Sequence, residues 1–260
     1  MALKVHSIFY YGHVVDSSNN KIAFKEGAGP ELIAEIPAGS YTLTEYINKV
    51  SAALNAAGAL DWTAVANRDN RLVTIAASGP ASLLWSTGST VPQSAATMLG
   101  FSTAADLLNQ TIFTSTLPTG SAYSPQFPLQ DYLPKARNKK LTNAVVTKSA
   151  SGNRVNVQKF GSDVFIRCNI RWVTNEDVGG GLIRNNPAAV EELETFLSYI
   201  IEKNPVEFME DENQRDAFDK VIIEATAKSP DGTGFELVEY VDKFLPEFFE
   251  SGLLTFKVLE

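Results

Sequence analysis

Residues 36–58 read IPAGSYTLTEYINKVSAALNAAG and carry the clearest structural signal in the chain. Thr42 and Glu45 have the spacing of a capping box, in which each side chain accepts a hydrogen bond from the backbone N–H of the other residue. Tyr41 and Tyr46 are placed to form the hydrophobic staple that accompanies such a box. The spacing therefore predicts a helix that begins at residue 43.

Apolar residues inside this stretch recur at steps of three and four, which predicts one buried face. The predicted stripe consists of Leu43, Tyr46, Ile47, Val50, Ala53, Leu54 and Ala57. Gly58 stands where a left-handed C-cap is favoured. Residues 31–36, ELIAEI, precede the turn at Pro37 and read as a short strand. The local prediction is strand, turn and amphipathic helix.

The residues that follow the helix have the composition of β-strands. Residues 61–67 (DWTAVAN) and 71–78 (RLVTIAAS) flank Arg68, Asp69 and Asn70 and predict a β-hairpin. Residues 81–87 (ASLLWST) could add a third strand. Residues 94–101 (SAATMLGF) predict a second short helix that ends at Gly100.

The composition changes between residues 111 and 140, where four prolines occur, namely Pro118, Pro125, Pro128 and Pro134. Proline removes a backbone donor and restricts the residue before it, so we predict a linker or arm there. The predicted organisation is a β-rich α+β domain over 1–110, a proline-rich linker or arm over 111–140, and an α+β domain over 141–260.

The second half alternates strand signals with one helix. Strands are predicted within residues 141–149, 153–160, 163–174, 219–227 and 253–260. Asn186 and Pro187 predict a helix start, and the apolar stripe of that helix is Val190, Leu193, Leu197, Ile200 and Ile201. The predicted class is α+β, with two β-rich domains that each pack one principal amphipathic helix on antiparallel strands.

Composition limits the functions open to the chain. It has 260 residues, 44% of them hydrophobic and 20% charged, as expected of a globular protein. No apolar run approaches the roughly 20 residues that span a bilayer, and no signal peptide is recognisable, so we expect no membrane insertion and synthesis in a cytosol. The single cysteine, Cys168, excludes an internal disulfide and is expected to be a small buried side chain.

The charge of −8 is distributed in segments of opposite sign. Residues 135–171 hold nine bases and one acid, whereas residues 202–250 hold fourteen acids and five bases. The overall acidity argues against nucleic-acid binding. The two segments can pair within one chain, or the basic segment of one copy can contact the acidic segment of the next.

The second alternative predicts an assembly interface. Its basic candidates are Lys135, Arg137, Lys139 and Lys140, and its acidic candidates are Glu210, Asp211 and Glu212. The arm would add Pro125, Phe127 and Pro128 by lying across a neighbouring copy.

Catalytic and metal-binding motifs are weak. His6 and His13 are the only histidines and lack metal-site spacing. No GxSxG, GxGxxG or Walker motif occurs, and the acidic cluster at residues 210–219 lacks the EF-hand order. We therefore expect no enzyme activity, no cofactor and no metal. A virion-borne glycan hydrolase remains an alternative, as does a carbohydrate-binding or receptor-binding module in which an exposed Trp62 or Trp85 stacks on sugars.

Residues 36–58, 71–89 (RLVTIAASGPASLLWSTGS) and 95–101 (AATMLGF) together resemble a domain that recurs in structural proteins of tailed bacteriophages and some other double-stranded DNA viruses. Residues 170–186, 204–218 and 244–260 resemble a phage tail subunit. The resemblance implies a virion protein of the tail, neck or baseplate, made in the bacterial cytoplasm. Its implied partners are copies of itself in a ring and other tail, neck or capsid proteins, and a tail-fibre or head-decoration protein is the alternative.

Overall fold

A computed structural model of the chain describes residues 7–127, 129–133, 144–148, 154–159, 164–176, 186–210, 218–239 and 247–259. For residues 130–133, 144–148 and 154–159 it describes the backbone alone. The described chain contains two α-helices and many strands that pair antiparallel. This confirms the predicted β-rich α+β class.

The chain folds as two compact units. The N-terminal unit holds Phe9–Tyr123 and also Pro205–Glu207, which return to it from far along the chain. The C-terminal unit takes the remaining described residues. The structure thus divides the chain after Tyr123, inside the 111–140 segment that was predicted to be a linker.

The described elements up to Tyr123 include one α-helix and nine β-strands. They are β1 (Ile8–Tyr11), β2 (His13–Val15), β3 (Lys21–Glu26), β4 (Glu31–Glu35), β5 (Gly39–Tyr41), α1 (Leu43–Ala57), β6 (Trp62–Ala66), β7 (Val73–Leu83), β8 (Leu107–Thr114) and β9 (Ala122–Tyr123). Strands β4, β3, β7 and β6 follow one another, and β8 also pairs with β7. In addition, β1 pairs antiparallel with β9, and β2 pairs antiparallel with β5.

Helix α1 begins as predicted. The Thr42 hydroxyl accepts from the Glu45 N–H at 3.3 Å, and the Glu45 carboxylate accepts from the Thr42 N–H at 3.0 Å. Six of the seven predicted stripe residues are buried, and Ala57 is half-buried. Tyr46 stacks on His13 with ring centroids 4.4 Å apart.

Gly58 ends α1 but not in the predicted left-handed conformation, because its φ is −109°. The glycine is required for space. A Cβ at residue 58 would overlap the carboxylate of Glu26, and that carboxylate accepts hydrogen bonds from the N–H groups of Ala59 and Leu60 and from Trp62 Nε1.

The hairpin around Arg68–Asn70 is confirmed, since β6 pairs antiparallel with β7 from Trp62↔Ala77 to Ala66↔Val73. The third strand predicted at residues 81–87 is wrong, because β7 itself runs on to Leu83. The short helix predicted at 94–101 is also wrong. That segment is a turn in which Leu99 N–H donates to the Ala95 carbonyl, and Gly100 closes it with φ +77°.

One face of the sheet packs on α1, which contacts β6 and β4. This face forms the core of the N-terminal unit. Trp62 stacks near Phe113 at 6.3 Å and meets the edge of Phe24 at 5.3 Å. All three are at most 2% exposed, so the aromatic cluster fixes the sheet against the helix.

The later elements are β10 (Gln130–Leu133), β11 (Ala144–Lys148), β12 (Arg154–Lys159), β13 (Val164–Asn169), α2 (Ala189–Ile201), β14 (Val206–Met209), β15 (Phe218–Thr226), β16 (Val238–Glu239), β17 (Phe249–Glu250) and β18 (Leu253–Val258). Strands β10, β13, β18 and β15 are neighbours in that order. The pairs β11–β12 and β16–β17 form separate two-stranded sheets. The strand predictions for this half are confirmed where the structure describes them.

Helix α2 starts two residues later than predicted, at Ala189. Asn186 still accepts from a backbone donor, the Ala188 N–H, at 3.0 Å. The donor of Val190 is satisfied by Asn175 Oδ1 at 2.9 Å, a partner that lies outside the local sequence pattern. Cys168 is fully buried as expected, and burial raises the pKa of its thiol to about 12.

Strands occur within the 111–140 segment, where a linker or arm was predicted. Thr111–Thr114 complete β8, and β9 and β10 follow. Pro118 and Pro125 lie between strands, so these prolines punctuate short strands without preventing them.

Candidate assembly surface

The structure describes three of the ten residues proposed for the assembly interface. Pro125 is buried and Phe127 is half-buried. Glu210 is half-buried, and its backbone carbonyl accepts from the Ser7 hydroxyl at 2.9 Å. The others lie outside the described residues, namely Pro128, Lys135, Arg137, Lys139, Lys140, Asp211 and Glu212. The charge-paired interface therefore stays a prediction.

A different surface of the N-terminal unit is uncharged and exposed. It is the face of β6, β7 and β8 that points away from α1, and we call it the outer face. Register places Thr63, Ala76 and Ile112 in one row and Val65, Thr74 and Thr114 in the next. Thr74 Oγ1 and Thr114 Oγ1 are 3.4 Å apart. Val65 and Ile112 are each 60% exposed.

Strand β8 extends this surface to the edge of the sheet. Among the described residues it pairs with β7 alone, and its residues LLNQTIFT carry no charge. Leu108 is 60% exposed, as Ile112 is. A contiguous apolar patch that is exposed to solvent is a feature of contact sites.

The sequence contains a signal for this surface that pattern analysis missed. No Asp, Glu, Lys or Arg occurs between Asp106 and Asp131, although a fifth of the whole chain is charged. The prolines in that run favour a linker. The informative feature is instead the absence of charge, because the exposed strand β8 lies within the uncharged run.

A groove lies between α1 and β6 in the N-terminal unit. It has a volume of about 200 Å³ and is lined by Leu43, Thr44, Ile47, Asn48, Ala64, Val65, Ala66 and Arg68. Arg68 is its only ionisable lining residue, and Arg68 Nη1 lies 2.8 Å from Glu207 Oε2. Thr44 carries the only hydroxyl of the lining, and that hydroxyl accepts a hydrogen bond from Arg68 Nη2.

Glu207, which is remote in sequence from α1 and β6, lies beside this groove and has two structural roles. Its Oε1 accepts from the Thr44 N–H at 2.7 Å, which satisfies a donor in the first turn of α1. Arg68 also donates from Nη2 to the Thr44 hydroxyl at 2.7 Å, and its guanidinium lies 5.5 Å from the centre of the Tyr10 ring. The buried carboxylate therefore ties the helix start to the β6–β7 turn.

His13 is the described histidine, and its surroundings are structural. Its Nε2 lies 2.9 Å from Thr119 Oγ1, and it is 5% exposed. Burial lowers the pKa of His13 to about 4, while the negative charge of Glu207 acts in the opposite direction. Its neutral ring stacked on Tyr46 fits the structural role.

Within the part of the chain that the structure describes, no group of three or more His, Cys, Asp or Glu side chains could hold a metal ion. Neither described helix is long and apolar enough to cross a membrane. Trp62 is 2% exposed and Trp85 is 1% exposed, so neither indole is accessible for the sugar stacking of the carbohydrate-binding alternative. Both indoles fill the core instead.

No family model matches the chain, and no curated protein matches it significantly.

Proposed function

We propose that the chain is a non-enzymatic structural subunit that assembles with copies of itself in a bacteriophage virion, as part of the tail tube, connector or baseplate. The observation that carries this proposal is the outer face, where Val65 and Ile112 are each 60% exposed in neighbouring rows that contain no charged residue. No charged side chain stands in these rows, so like-charge repulsion does not oppose a contact between two such surfaces.

The segregated charge supports ring formation. A ring requires two different patches that meet on neighbouring copies. The basic segment at 135–171 and the acidic segment at 202–250 supply one complementary pair in the sequence. In the proposed assembly these segments close the ring, and other tail, neck or capsid proteins contact its surfaces.

The test is electron microscopy of the purified full chain together with its mass in solution. The proposal expects particles of many copies with rotational symmetry. Val65→Glu should reduce their number, whereas Val14→Glu, at a 53% exposed position of another strand in the same unit, should not. A chain that stays monomeric at all concentrations, or that hydrolyses a polysaccharide with loss of turnover on a single carboxylate change, contradicts the proposal.

A further inference from the structure

We propose that β8 pairs edge to edge with β8 of a second copy of this chain, antiparallel, about a two-fold axis at Ile112. This inference rests on the proposed function, because it names one of the contacts through which the copies assemble. The N-terminal sheet has edges at β6, β4 and β8, and each would expose unpaired backbone groups if nothing protected it.

The edge of β6 is closed by side chains of α1. Asn55 Oδ1 accepts from the Trp62 N–H at 2.8 Å, and Asn55 Nδ2 donates to the Trp62 carbonyl at 2.7 Å. The Ser51 hydroxyl accepts from the Ala64 N–H at 2.7 Å. The helix thus supplies the hydrogen bonds that a neighbouring strand would otherwise make, so this edge of β6 is closed to pairing with another strand.

The edge of β4 is protected by charge. Glu31 and Glu35 stand at its two ends, and each is held by a hydrogen bond. Glu31 accepts from Ser89, and Glu35 accepts from Asn20 at 3.3 Å. Carboxylates at both ends of an edge strand oppose pairing with another strand. The strand β8 has neither protection, since it is charge-free and pairs with β7 alone among the described residues.

The hydrogen-bonding groups of β8 point to the open side at the positions that pairing requires. Ser115 N–H donates to the Val73 carbonyl at 2.8 Å, and Phe113 stands opposite Ile75 in the same register. Backbone groups of successive residues alternate in direction along a strand. The N–H and C=O groups of Ile112 and Thr114 therefore face away from β7.

A second copy fits this edge because the pairing is self-complementary. With Ile112 opposite its own equivalent, Thr114 falls opposite Gln110, and no position brings two charges together. The outer faces of both copies become one continuous surface. A two-fold contact of this kind also requires an even number of copies in any assembly where every copy uses it.

The first experiment measures the dissociation constant of self-association for the full chain by sedimentation velocity. Ile112→Lys places two ammonium groups against each other on the axis, and we expect association to weaken by about tenfold or more. Val14→Lys is the matched control, because Val14 is a 53% exposed strand residue of the same unit. Equal melting temperatures of the two variants show that both remain folded.

The second experiment traps the pair. Opposed residues of a hydrogen-bonded antiparallel pair have Cα atoms about 5.5 Å apart, which lies in the range of a disulfide. Ile112→Cys should form a linked dimer on mild oxidation and Val14→Cys should not, while Cys168 is 0% exposed and does not compete.

The outcomes separate this inference from the proposed function. A wild-type chain that never associates overturns both. Association that Ile112→Lys leaves unchanged, or no linked dimer from Ile112→Cys, overturns the β8 contact alone. Binding of β8 to an extended segment of another protein, with copies that do not pair, likewise overturns it.

Discussion

Glu207 Oε2 accepts a hydrogen bond from Arg68 Nη1 at 2.8 Å, across 139 residues of sequence. The Glu207 side chain is 1% exposed and that of Arg68 is 16% exposed. Because the same carboxylate also accepts from the Thr44 N–H, its removal takes the counter-ion from the half-buried Arg68 guanidinium and the acceptor from a helix donor.

We expect Glu207→Ala to lower the free energy of unfolding of the N-terminal unit by about 3–5 kcal/mol, the range typical of a broken buried pair. Urea unfolding followed by tryptophan fluorescence measures it. Glu236→Ala is the control, because Lys228 and Glu236 form a pair whose side chains are 52% and 62% exposed, and exposed pairs contribute at most about 1 kcal/mol. Similar losses for both variants would contradict the structural role of Glu207.

His13 makes the stability of the N-terminal unit depend on pH. Burial lowers its pKa from 6.5 to about 4, so the fold favours the neutral ring. The contribution of the neutral His13 ring to the free energy of unfolding is fully present above pH 6.5 and is lost as the pH falls from 6.5 toward 4. It amounts to about 3 kcal/mol at most.

In His13→Phe we expect a smaller loss of unfolding free energy between pH 7 and pH 4.5 than in the wild type. Urea titrations at the two pH values measure this difference. The carboxylates titrate in both proteins, so the comparison isolates the imidazole. An unchanged pH dependence would show that His13 is readily protonated in the folded protein.

Gly58→Ala should destabilise the chain by about 1–3 kcal/mol, because the new Cβ would displace the Glu26 carboxylate from its three donors. In a Glu26→Ala background the same change should cost much less, since φ −109° is accessible to alanine. A double-mutant cycle with urea unfolding tests the coupling. Additive losses would mean that the carboxylate is not what requires glycine.

Reversal of charge at Lys139 and Lys140 should weaken assembly more than folding if the basic segment contacts the acidic segment of the next copy. Lys25→Glu with Lys49→Glu changes the net charge equally at two lysines of the N-terminal unit, outside both charged segments, and serves as the control. Light scattering reports assembly, and thermal melting reports folding. If the Lys139→Glu/Lys140→Glu variant assembles normally, the basic segment does not contact the next copy, and the two charged segments pair within one chain.

The parts of the fold that follow from local pattern could be predicted from sequence. Helix α1 is specified by the capping box and by apolar spacing, and both are present in the structure. The reason for Gly58 could not be found this way, because it depends on Glu26 from another strand. The start of α2 likewise depends on Asn175, which is remote in sequence.

The candidate surface was only partly open to prediction. The absence of charge between Asp106 and Asp131 is visible in the sequence, but its meaning depends on which strand edges are protected. That protection comes from tertiary contacts, above all from Asn55 and Ser51 on the edge of β6. Residues on a surface formed by distant strands carry no local spacing that sequence analysis could detect.

Whether copies of the chain assemble is measured most directly by the mass of the purified full chain in solution across a range of concentrations. We predict species much heavier than the 28.3 kDa monomer, with a proportion that grows with concentration. A single 28.3 kDa species at every concentration would contradict it.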